Sequence, residues 1–476
     1  MTLPWLLLAP LTGLVATLST TRAARWQAWL ILAMSLASLG LATGLFLAGA
    51  PMTTAVGGWS PPYGIRLHAD MFGRLMLVTT GLVFSLAALY HLGQSLRAAP
   101  PTRNAVYHLS FPLLLLALNG LFATRDFFNF YVFFELLAVS SYLLVAMGKH
   151  APLEAAWKYS AQSVLGSIFL LVGVVSLYGS TGALEMGEVA SRLAGPAREA
   201  APFLLIAFLL KGAIFPFHFW QPDAHAAATT AGSTLLAGLL ISVGMAALLR
   251  FWPLLMGATR LEILLALGAT SLLFGAAAAW KEVDAKRMLG FSSVSQLGFI
   301  LLALGWGSNA ALGAAILYLI SHALAKSLLF LATGALADSV GSTRFADLRG
   351  QGRDMPWLGA AYLAGSLSLI GLPPTLGFVA KVGLLGAGVA AHAWLGVAIA
   401  AVGSLMTAAY TLKAYLCLFW EDPDPERPPP EKPSAWTLAA VGTGTSLVLL
   451  GILGAEPLRN ACMTAAAELM TPGFPR

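Results

Sequence analysis

The sequence has little charge for its length. Only 10% of its 476 residues are Asp, Glu, Lys or Arg, whereas 58% are hydrophobic. A soluble globular domain carries about 25% charged residues, so a chain of this composition could not cover its surface in water. The net charge of +6 is therefore better explained by basic residues that orient membrane loops than by nucleic-acid binding.

Cysteines and the patterns of bound cofactors are also scarce. Cys417 and Cys462 are the two cysteines, which is too few for a disulfide framework and lacks the spacing of a metal site. The sequence contains no glycine-rich phosphate loop, dinucleotide fingerprint or cysteine cluster for an iron–sulfur centre. It therefore predicts a protein with no cofactor and no redox centre of its own.

Long apolar segments fill most of the chain. A membrane-spanning helix needs about 20 mostly apolar residues, so the sequence predicts an all-α, multi-pass membrane protein. The first segment lacks a preceding basic region and is predicted to be a retained span rather than a signal peptide. The fourteen predicted segments lie near residues 3–20, 27–49, 70–95, 106–123, 127–147, 160–179, 201–217, 232–250, 262–279, 289–306, 311–336, 357–390, 393–420 and 435–454.

Basic residues are concentrated in the odd-numbered loops, counted from the first. These loops contain Lys281, Lys286, Arg287, Arg344 and Arg349, among others. The positive-inside rule then places the odd loops in the cytoplasm. With an even number of spans, both termini are predicted to face the periplasm or exterior of a bacterial inner membrane. The longest polar linkers, 181–201 and the proline-rich 421–433, show no sign of a separate soluble domain.

Glu135 is the only carboxylate deep inside a predicted span. An ionisable side chain near the middle of a bilayer costs at least about 2.5–3.5 kcal/mol, so each one is a candidate functional residue. Glu135 could instead pack in a helix interface and bond to Ser140 or Tyr142. A neutral residue would pack there at far lower cost, and we therefore interpret Glu135 as part of an ion path.

Two lysines lie beside proline breaks within predicted spans. Lys211 precedes Pro216, and Lys381 follows Pro373 and Pro374, which divide the long twelfth segment into two half-helices. Irregular backbone inside a membrane is tolerated only around a cavity, which favours a transport site. Snorkelling to the interface is the alternative for Lys211. The two segments are five spans apart, an odd offset that reverses direction, so they could correspond in two inverted repeats.

His322 and Lys326 are four residues apart and therefore share one face of a helix. Histidine titrates near neutral pH, and a desolvated lysine can also exchange protons, so the pair predicts a proton relay. A structural histidine is the alternative. Lys413 lies near the end of the thirteenth segment, where snorkelling explains it adequately.

His218, Asp223 and His225 lie in and beside the predicted loop that follows the seventh segment. Their spacing matches no recognised metal-ligand pattern, so the sequence predicts no metal site there. We interpret these three residues as a gate or a point of proton access.

Four motifs, in a fixed order, resemble those of a known family: KGAIFPFHFWQPDAH, KEVDAKRMLGFSSVSQLGFI, SHALAKSLLFLATG and GLPPTLGFVAKVGLL. From roughly residue 60 to residue 420 the chain resembles the Mrp-type antiporter family. That family includes the D subunit of Mrp sodium/proton antiporters and the antiporter-like subunits of respiratory complex I and membrane-bound hydrogenases. The length and the number of spans are most similar to those of the Mrp D subunit.

The resemblance implies two inverted five-helix repeats. Helices 4–8 would lie in residues 106–250 and helices 9–13 in residues 251–420, with three helices before them in 1–105 and a linker and last helix after them in 421–476. It implies that Glu135 pairs with Lys211, that His322 and Lys326 form an eleventh-span pair, and that Lys381 ends the proton path.

Ser242 stands where the family usually has a lysine, in the stretch AGLLISVG. Thr229 and Ala231 similarly stand where the family usually has prolines. A serine can hydrogen-bond and hold water, but it cannot carry the charge. The middle of the implied proton path therefore lacks a charge, which a chain of water molecules could replace.

Three functions remain open from the sequence. The first is the ion-translocating membrane subunit of a multi-subunit sodium/proton antiporter. The second is a proton-pumping membrane subunit of an NADH-quinone oxidoreductase or a membrane-bound hydrogenase. The third is a scaffold that has lost transport, which the replacement at Ser242 favours. The first two predict a hetero-oligomeric complex with other membrane subunits, embedded in the lipid bilayer, that moves protons with or without sodium.

Overall fold

The computed structural model describes residues 3–19, 24–49, 52–59, 64–97, 104–148, 152–193, 199–255 and 261–470. Within these ranges the chain is almost entirely α-helical. This confirms the all-α membrane fold predicted from the sequence. The two chain ends, for which a side of the membrane is predicted above, lie outside the described residues.

The first half of the chain contains the three N-terminal helices and the predicted helices 4–8. The N-terminal elements are α1 (Leu3–Ser19), α2 (Ala24–Leu47), the antiparallel strands β1 (Met52–Ala55) and β2 (Arg66–Ala69), and α3 (Met71–Arg97). The next elements are α4 (Asn104–Ala123), α5 (Phe127–Ala146), α6 (Pro152–Thr181), the short α7 (Met186–Arg192), α8 (Ala201–Lys211), α9 (Trp220–Ala227) and α10 (Thr230–Leu235). A π-helical turn then leads into α11 (Ile241–Leu255).

The second half contains the predicted helices 9–13 and the C-terminal pair. Its elements are α12 (Leu261–Lys281), α13 (Ala285–Gly305), α14 (Asn309–Val340), the short α15 (Phe345–Leu348), α16 (Pro356–Ile370), α17 (Leu376–Ala390), α18 (Trp394–Tyr415), α19 (Ala435–Leu450) and α20 (Ala455–Met470). The seventh predicted span is broken between α8 and α9, and the twelfth between α16 and α17.

Ten helices in the described ranges are long and apolar enough to cross a membrane. The number is eleven if α19 and α20, which are bent by 78° relative to each other, count as one span. The shorter apolar helices are α1, α8, α16 and α17. If α1, the broken span of α8 and α9, and the broken span of α16 and α17 are added to these eleven, the total is the fourteen predicted from the sequence. That total stays a prediction.

Helix α14 lies at the centre of the protein. It is buried without interruption from Ala311 to Ala337, and it packs against α3, α10, α13, α16, α17, α19 and α20. A helix that is hydrophobic on all sides belongs in a core. Residues on α14 are therefore enclosed by protein rather than by lipid.

Two helices of the predicted repeats begin in the same way. Asp126 caps α5 and Asp284 caps α13, each by accepting a hydrogen bond from the backbone N–H three residues later. Each aspartate also forms an isolated β-bridge, Asp126 with Glu185 and Asp284 with Arg344. Because α5 and α13 are the second helices of the two predicted repeats, this equivalence supports the repeats. Their boundaries stay a prediction.

The proline-rich linker 421–433 lies against the loop that contains α15. Arg349 forms an ion pair of 2.6 Å with Glu421 at the start of the linker, and Arg427 forms one with Asp347. A single exposed ion pair contributes only about 0–1 kcal/mol. Several such pairs along one segment nevertheless define its path across the surface from α18 to α19.

The β1–β2 hairpin contains a buried histidine. His68 Nδ1 lies 2.8 Å from the Thr53 hydroxyl on the opposite strand. Burial lowers the pKa of His68 to about 4, an effect that Asp70 opposes and that Arg125 and Arg250 reinforce. The folded hairpin therefore favours the neutral ring.

We expect the hairpin to open more readily in acid. Because the folded pKa of His68 is below the usual value of about 6.5, its stabilising contribution is complete above about pH 6.5 and is lost as the pH falls towards 4. Amide hydrogen exchange of residues 52–69, corrected for intrinsic rates, should be faster at pH 5 than at pH 7.5. His68→Gln should remove this difference, and equal protection of the wild type at both pH values would contradict the prediction.

Candidate functional site

The Lys211 side chain is enclosed by aromatic rings at the end of α8. It is only 3% exposed, and its ammonium donates a hydrogen bond of 3.2 Å to the Tyr159 hydroxyl. The ammonium also lies 5.1 Å from the ring centroid of Phe134. Tyr159 is held in place by Ser141, whose hydroxyl is 2.7 Å away, and by the Trp220 ring stacked on it at 4.2 Å. Cation–π contacts of this kind stabilise a buried ammonium.

The backbone is irregular directly after Lys211. Ala213 has a φ of 51°, in the left-handed region where residues with a Cβ are uncommon. Pro216 has no N–H and cannot continue the helical hydrogen bonds. Backbone outliers of this type are concentrated at functional sites. Lys211 is thus buried beside a helix break, as the sequence indicates, and does not extend to an exposed surface.

Glu135 lies on the outward-facing stripe of α5. It is half-buried, and it shares a helix face with Phe128, Val132 and Val139, which are exposed in the single chain. Its carboxylate is near enough to act electrostatically on Lys211. The two groups form no direct ion pair among the described contacts, so the pair implied by the resemblance is separated here.

The helix-packing alternative for Glu135 finds no support in its neighbours. The Ser140 hydroxyl donates instead to the Leu136 and Leu137 carbonyls. Glu135 Oε1 is buried and has no hydrogen-bond partner within the described part of the chain. A buried carboxylate oxygen without a partner is costly, so helix packing alone does not explain Glu135.

The helix that contains Ser242 connects the two lysine-bearing regions. A Cβ at Gly244 would collide with the backbone of Gly212, the residue after Lys211. A Cβ at Gly238 would collide with Ser327 on α14, the residue after Lys326. Ser242 lies between these two close contacts, is fully buried, and donates 2.9 Å to the Gly238 carbonyl.

Ser242→Ala is expected to reduce ion flux by less than about threefold. The hydroxyl already donates to its own helix, and such a bond contributes little to stability. Flux per assembled complex in proteoliposomes would measure the effect, with native gel electrophoresis as the assembly control. A loss of about tenfold or more with intact assembly would contradict this and make the hydroxyl an obligatory step, since tenfold corresponds to about 1.4 kcal/mol.

His322 and Lys326 lie on the fully enclosed part of α14. Lys326 is 0% exposed, and its ammonium donates 2.7 Å to the Leu289 carbonyl of α13. Neither ring nitrogen of His322 has a hydrogen-bond partner in the ranges described. His225 of α9 stacks on Phe330 of α14 with ring centroids 4.7 Å apart. Lys326 acts electrostatically on both histidines, so the structure brings His225, His322 and Lys326 together.

The other two predicted gate residues lie elsewhere. Asp223 faces the surface, where it pairs with Lys158 of α6 at 2.9 Å and with Arg287 of α13. The His218 ring packs beside Phe274, with centroids 4.7 Å apart. His218, Asp223 and His225 therefore do not form one cluster. No group of three His, Cys, Asp or Glu side chains in the described ranges could hold a metal ion.

The segment predicted to be a loop is partly helical. Helix α9 occupies Trp220–Ala227, and Pro222 falls in its first turn. A proline is tolerated in a first turn because its missing N–H would have no intrahelical partner there. This helix turns Asp223 and His225 to different sides, which explains why the two residues separate.

Gln296 is the centre of a polar chain between α13, α14 and α18. Its amide nitrogen donates 2.9 Å to Thr407 and 3.2 Å to the Tyr410 hydroxyl. The Tyr318 hydroxyl donates to its amide oxygen, and Ser292 is 2.7 Å from the Tyr410 hydroxyl. The chain begins one helical turn beyond Leu289, whose carbonyl binds Lys326.

Lys381 lies at the far end of this polar chain. Its ammonium is 3.0 Å from the Ser404 hydroxyl, 3.3 Å from the Ile370 carbonyl and 4.1 Å from the Phe299 ring centroid. The Tyr318 ring, whose hydroxyl belongs to the chain, lies 6.0 Å from it. Gly371 has a φ of 88°, and a Cβ there would collide with the Lys381 side chain. Lys381 lies in α17, after the break between α16 and α17. Lys211 instead ends α8, before the break between α8 and α9.

The polar chain was not predicted from the sequence. Ser292 and Gln296 are four residues apart in FSSVSQLGFI, and polar residues at that spacing share a helix face. That spacing is the sequence feature that could have identified Ser292 and Gln296. No such feature marks Tyr318 and Tyr410, because a tyrosine in an apolar span is common where its hydroxyl can reach a partner.

A small polar cavity opens where α10 begins and α14 ends. Its volume is about 20 Å³, enough for about one water molecule. The Asp338 carboxylate accepts hydrogen bonds from the Tyr90 and Thr230 hydroxyls at 2.8 and 2.7 Å. The polar lining consists of Thr229, Lys286, Asp338, Ser342 and Thr343. Lys286 also acts electrostatically on His225 of α9, so the cavity lies near one member of the buried group formed by His225, His322 and Lys326.

Comparison with known proteins gives a consistent result. The profile of the NADH:quinone oxidoreductase/Mrp antiporter transmembrane family matches residues 124–407. The chain is 33% identical over 440 residues to the N subunit of an NADH-quinone oxidoreductase from Desulforudis audaxviator, covering 88% of each chain. It is 31% identical over 454 residues to the D subunit of a Na(+)/H(+) antiporter from Alkalihalophilus pseudofirmus, covering 93% of this chain and 91% of the relative.

Two solved structures have nearly the same fold. A chain of the Mrp complex from Dietzia sp. superposes with a TM-score of 0.89 at 26% identity, covering 99% of this chain and 97% of that chain. A chain of the membrane-bound sulfane sulfur reductase, an archaeal respiratory membrane complex, superposes with a TM-score of 0.88 at 26% identity, covering 98% and 97%. Both matches are to multi-subunit membrane complexes.

Proposed function

The chain belongs to the NADH:quinone oxidoreductase/Mrp antiporter transmembrane family, and on that premise we propose that it is the proton-translocating membrane subunit of a multi-subunit cation/proton antiporter. Its relatives include proteins named as the D subunit of Na(+)/H(+) antiporters. The proposed work is to move protons along a buried path that begins at Glu135 and Lys211 and ends at Lys381.

One observation supports this path above the others. A series of buried ionisable and polar groups extends through both halves of the chain, from Lys211 past Ser242 to Lys326 and then through Gln296 to Lys381. Burying so many polar and ionisable groups in a membrane protein is costly, and such groups are therefore candidates for a function. Hydroxyl groups and bridging water can pass protons without moving the backbone, because each both donates and accepts, and the Gln296 amide orients the hydroxyl groups around it.

The cavity at Asp338 is a suitable place for proton uptake. It has polar walls, it lies on the side of the odd loops, and Lys286 in its lining acts electrostatically on His225. The positive-inside rule places that side in the cytoplasm. In this proposal Asp338 takes up protons and the group of His225, His322 and Lys326 receives them.

Assembly with other membrane subunits is supported by the position of Glu135. A carboxylate on an exposed apolar stripe would face lipid in a solitary chain, at a cost of several kcal/mol. A neighbouring subunit against α5 would remove that cost. We propose a bacterial inner-membrane location with both termini outside, and the two inverted repeats 106–250 and 251–420 as the units of the transport path.

The redox-pump alternative is supported by the relative named as the N subunit of an NADH-quinone oxidoreductase. A redox-driven pump and an antiporter differ in the driving force of the complex, and this chain would have the same role in either. The scaffold alternative rests on Ser242, which interrupts the series of charges.

Ion flux in proteoliposomes that contain the co-purified complex distinguishes these functions. A pH-sensitive dye would be enclosed, a pH gradient imposed, and sodium chloride or choline chloride added outside. An antiporter dissipates the gradient on addition of sodium, with no electron donor present. Proton movement only with an electron donor and a quinone would support the redox pump. Sodium-dependent flux that survives neutral substitution of Lys211 would assign transport to a partner protein and this chain to a scaffold.

A further inference from the structure

A second cavity lies outside the proposed proton path, at the odd-loop end of the bundle. Its volume is about 290 Å³, close to the lower end of the range for small-molecule pockets. It is formed by the ends of α12 and α18, the first turn of α13, and α15. Most of its walls are apolar, and they include Val283, Met288, Phe345, Ala346 and Ala414.

The mouth of this cavity is cationic. Arg344 and Lys413 are both exposed and both line it. The Lys413 ammonium donates one hydrogen bond of 2.8 Å, to the Trp280 carbonyl, and a lysine has three donors. The acidic residue at the mouth, Glu282, lies 3.4 Å from Arg287 and is thereby compensated. The mouth therefore presents two exposed cations, and within the described part of the chain Lys413 has donors that its bond to the Trp280 carbonyl does not use.

The cavity extends from this mouth toward Tyr410. Tyr410 and Lys413 of α18 line it, as does Cys417 of the π-helical turn Leu416–Trp420 that follows α18. At 1.5 Å per residue the cavity follows these helical turns for about 10 Å. Its inner end is the Tyr410 ring, whose hydroxyl bonds to Ser292 and Gln296. An apolar channel with cations at its outer end thus reaches the polar chain.

We propose that this cavity binds an anionic phospholipid, with its phosphate on Arg344 and Lys413 and one acyl chain extending to Tyr410. The amphipathic shape, cationic at the interface and apolar inward, fits that chemistry. Basic residues at a membrane surface attract anionic lipids. A bound acyl chain would cover Tyr410 and exclude water from the polar chain; this consequence rests on the proposed function, whereas the binding itself does not.

The native cysteines allow a direct test of binding. Cys417 lines the cavity and is partly exposed, whereas Cys462 is fully buried. The wild-type complex would be placed in nanodiscs of phosphatidylcholine alone or with phosphatidylglycerol, and alkylation of Cys417 by N-ethylmaleimide followed by mass spectrometry. We expect phosphatidylglycerol to slow the alkylation about tenfold, and soluble glycerol phosphate at the same concentration to have no effect.

Variants identify the two parts of the site. Native mass spectrometry should show that the double variant Arg344→Gln/Lys413→Gln retains about tenfold less phosphatidylglycerol than the wild type. Lys281→Gln, which removes a cation from the same end of α12 outside the cavity, should retain it fully. Ala346→Trp, which fills the cavity and keeps both cations, should also lose the lipid.

Three results would overturn the proposal. Rapid alkylation of Cys417 in both lipids would show that no anionic lipid binds there. Slow alkylation in both lipids would show that a partner protein fills the cavity. Protection by glycerol phosphate would reduce the site to a phosphate site without a role for the acyl chain. None of these readouts requires ion flux, so they are independent of the transport assay.

Discussion

Lys211→Met is expected to reduce proton flux by about a hundredfold or more while the complex still assembles. A positioned proton-transfer group contributes about 10²–10⁴-fold to a rate, and methionine keeps the apolar length of the side chain without its charge. Tyr159 would lose its bond to the ammonium but keep those to Ser141 and the Trp220 ring. The aromatic enclosure should therefore survive, and the measurement is sodium-driven flux per assembled complex.

In the Lys211→Met variant, substitution of Glu135 should no longer change proton flux. Glu135→Gln alone is expected to lower flux about tenfold, because it removes the charge that acts on Lys211. In the Lys211→Met variant the same change should have almost no further effect, since residues that act through one another are not additive. Glu154→Gln, at an exposed position on α6, and Lys281→Met are the matched controls. Additive losses would mean that Glu135 has a separate role.

Gln296→Leu is expected to interrupt the path between Lys326 and Lys381. The change removes the two amide N–H donors to Thr407 and Tyr410 and the carbonyl acceptor of Tyr318. A buried hydroxyl without a partner costs about 1–3 kcal/mol, which applies to Tyr318, whereas Tyr410 keeps Ser292 and Thr407 keeps the Gly403 carbonyl. The polar chain would be broken in the middle. We expect flux to fall at least about tenfold, at 1.4 kcal/mol per factor of ten.

A neighbouring serine controls for damage to the helix. Ser295 is equally buried, but its hydroxyl donates to the Leu272 carbonyl of α12 and lies outside the polar chain. Ser295→Ala should leave flux close to that of the wild type. Flux that is unchanged in Gln296→Leu, in complexes that assemble normally, would show that protons reach Lys381 by another route.

The sequence predicted the charged residues of the site better than the polar residues between them. Glu135, Lys211, Lys326 and Lys381 could be found because a charge inside an apolar span is rare and costly. Gln296 could not be found as readily, because a polar amide in a span costs less and its partners come from α14 and α18. Those contacts depend on tertiary packing, which no local spacing reveals.

The three residues predicted as a gate or a point of proton access, His218, Asp223 and His225, are close in sequence but separate in space. Their role stays a prediction. His218 lies before α9, and that helix directs Asp223 to the surface and His225 towards Lys326. The broken seventh and twelfth spans were predicted correctly because Pro216 and the pair Pro373 and Pro374 act locally, through missing N–H groups.

The continuous burial of α14 has a consequence for how the protein can work. Transporters that rock between two shapes carry their site on elements that slide or tilt against one another. His322 and Lys326 instead occupy a helix that is buried without interruption from Ala311 to Ala337, and it is expected to be among the last segments to exchange amide hydrogens. Proton passage would then depend on side-chain rotation and transient water, which are far faster than movements of whole helices. On this view protons pass along fixed helices by rotation of side chains, and the helices themselves do not need to rock.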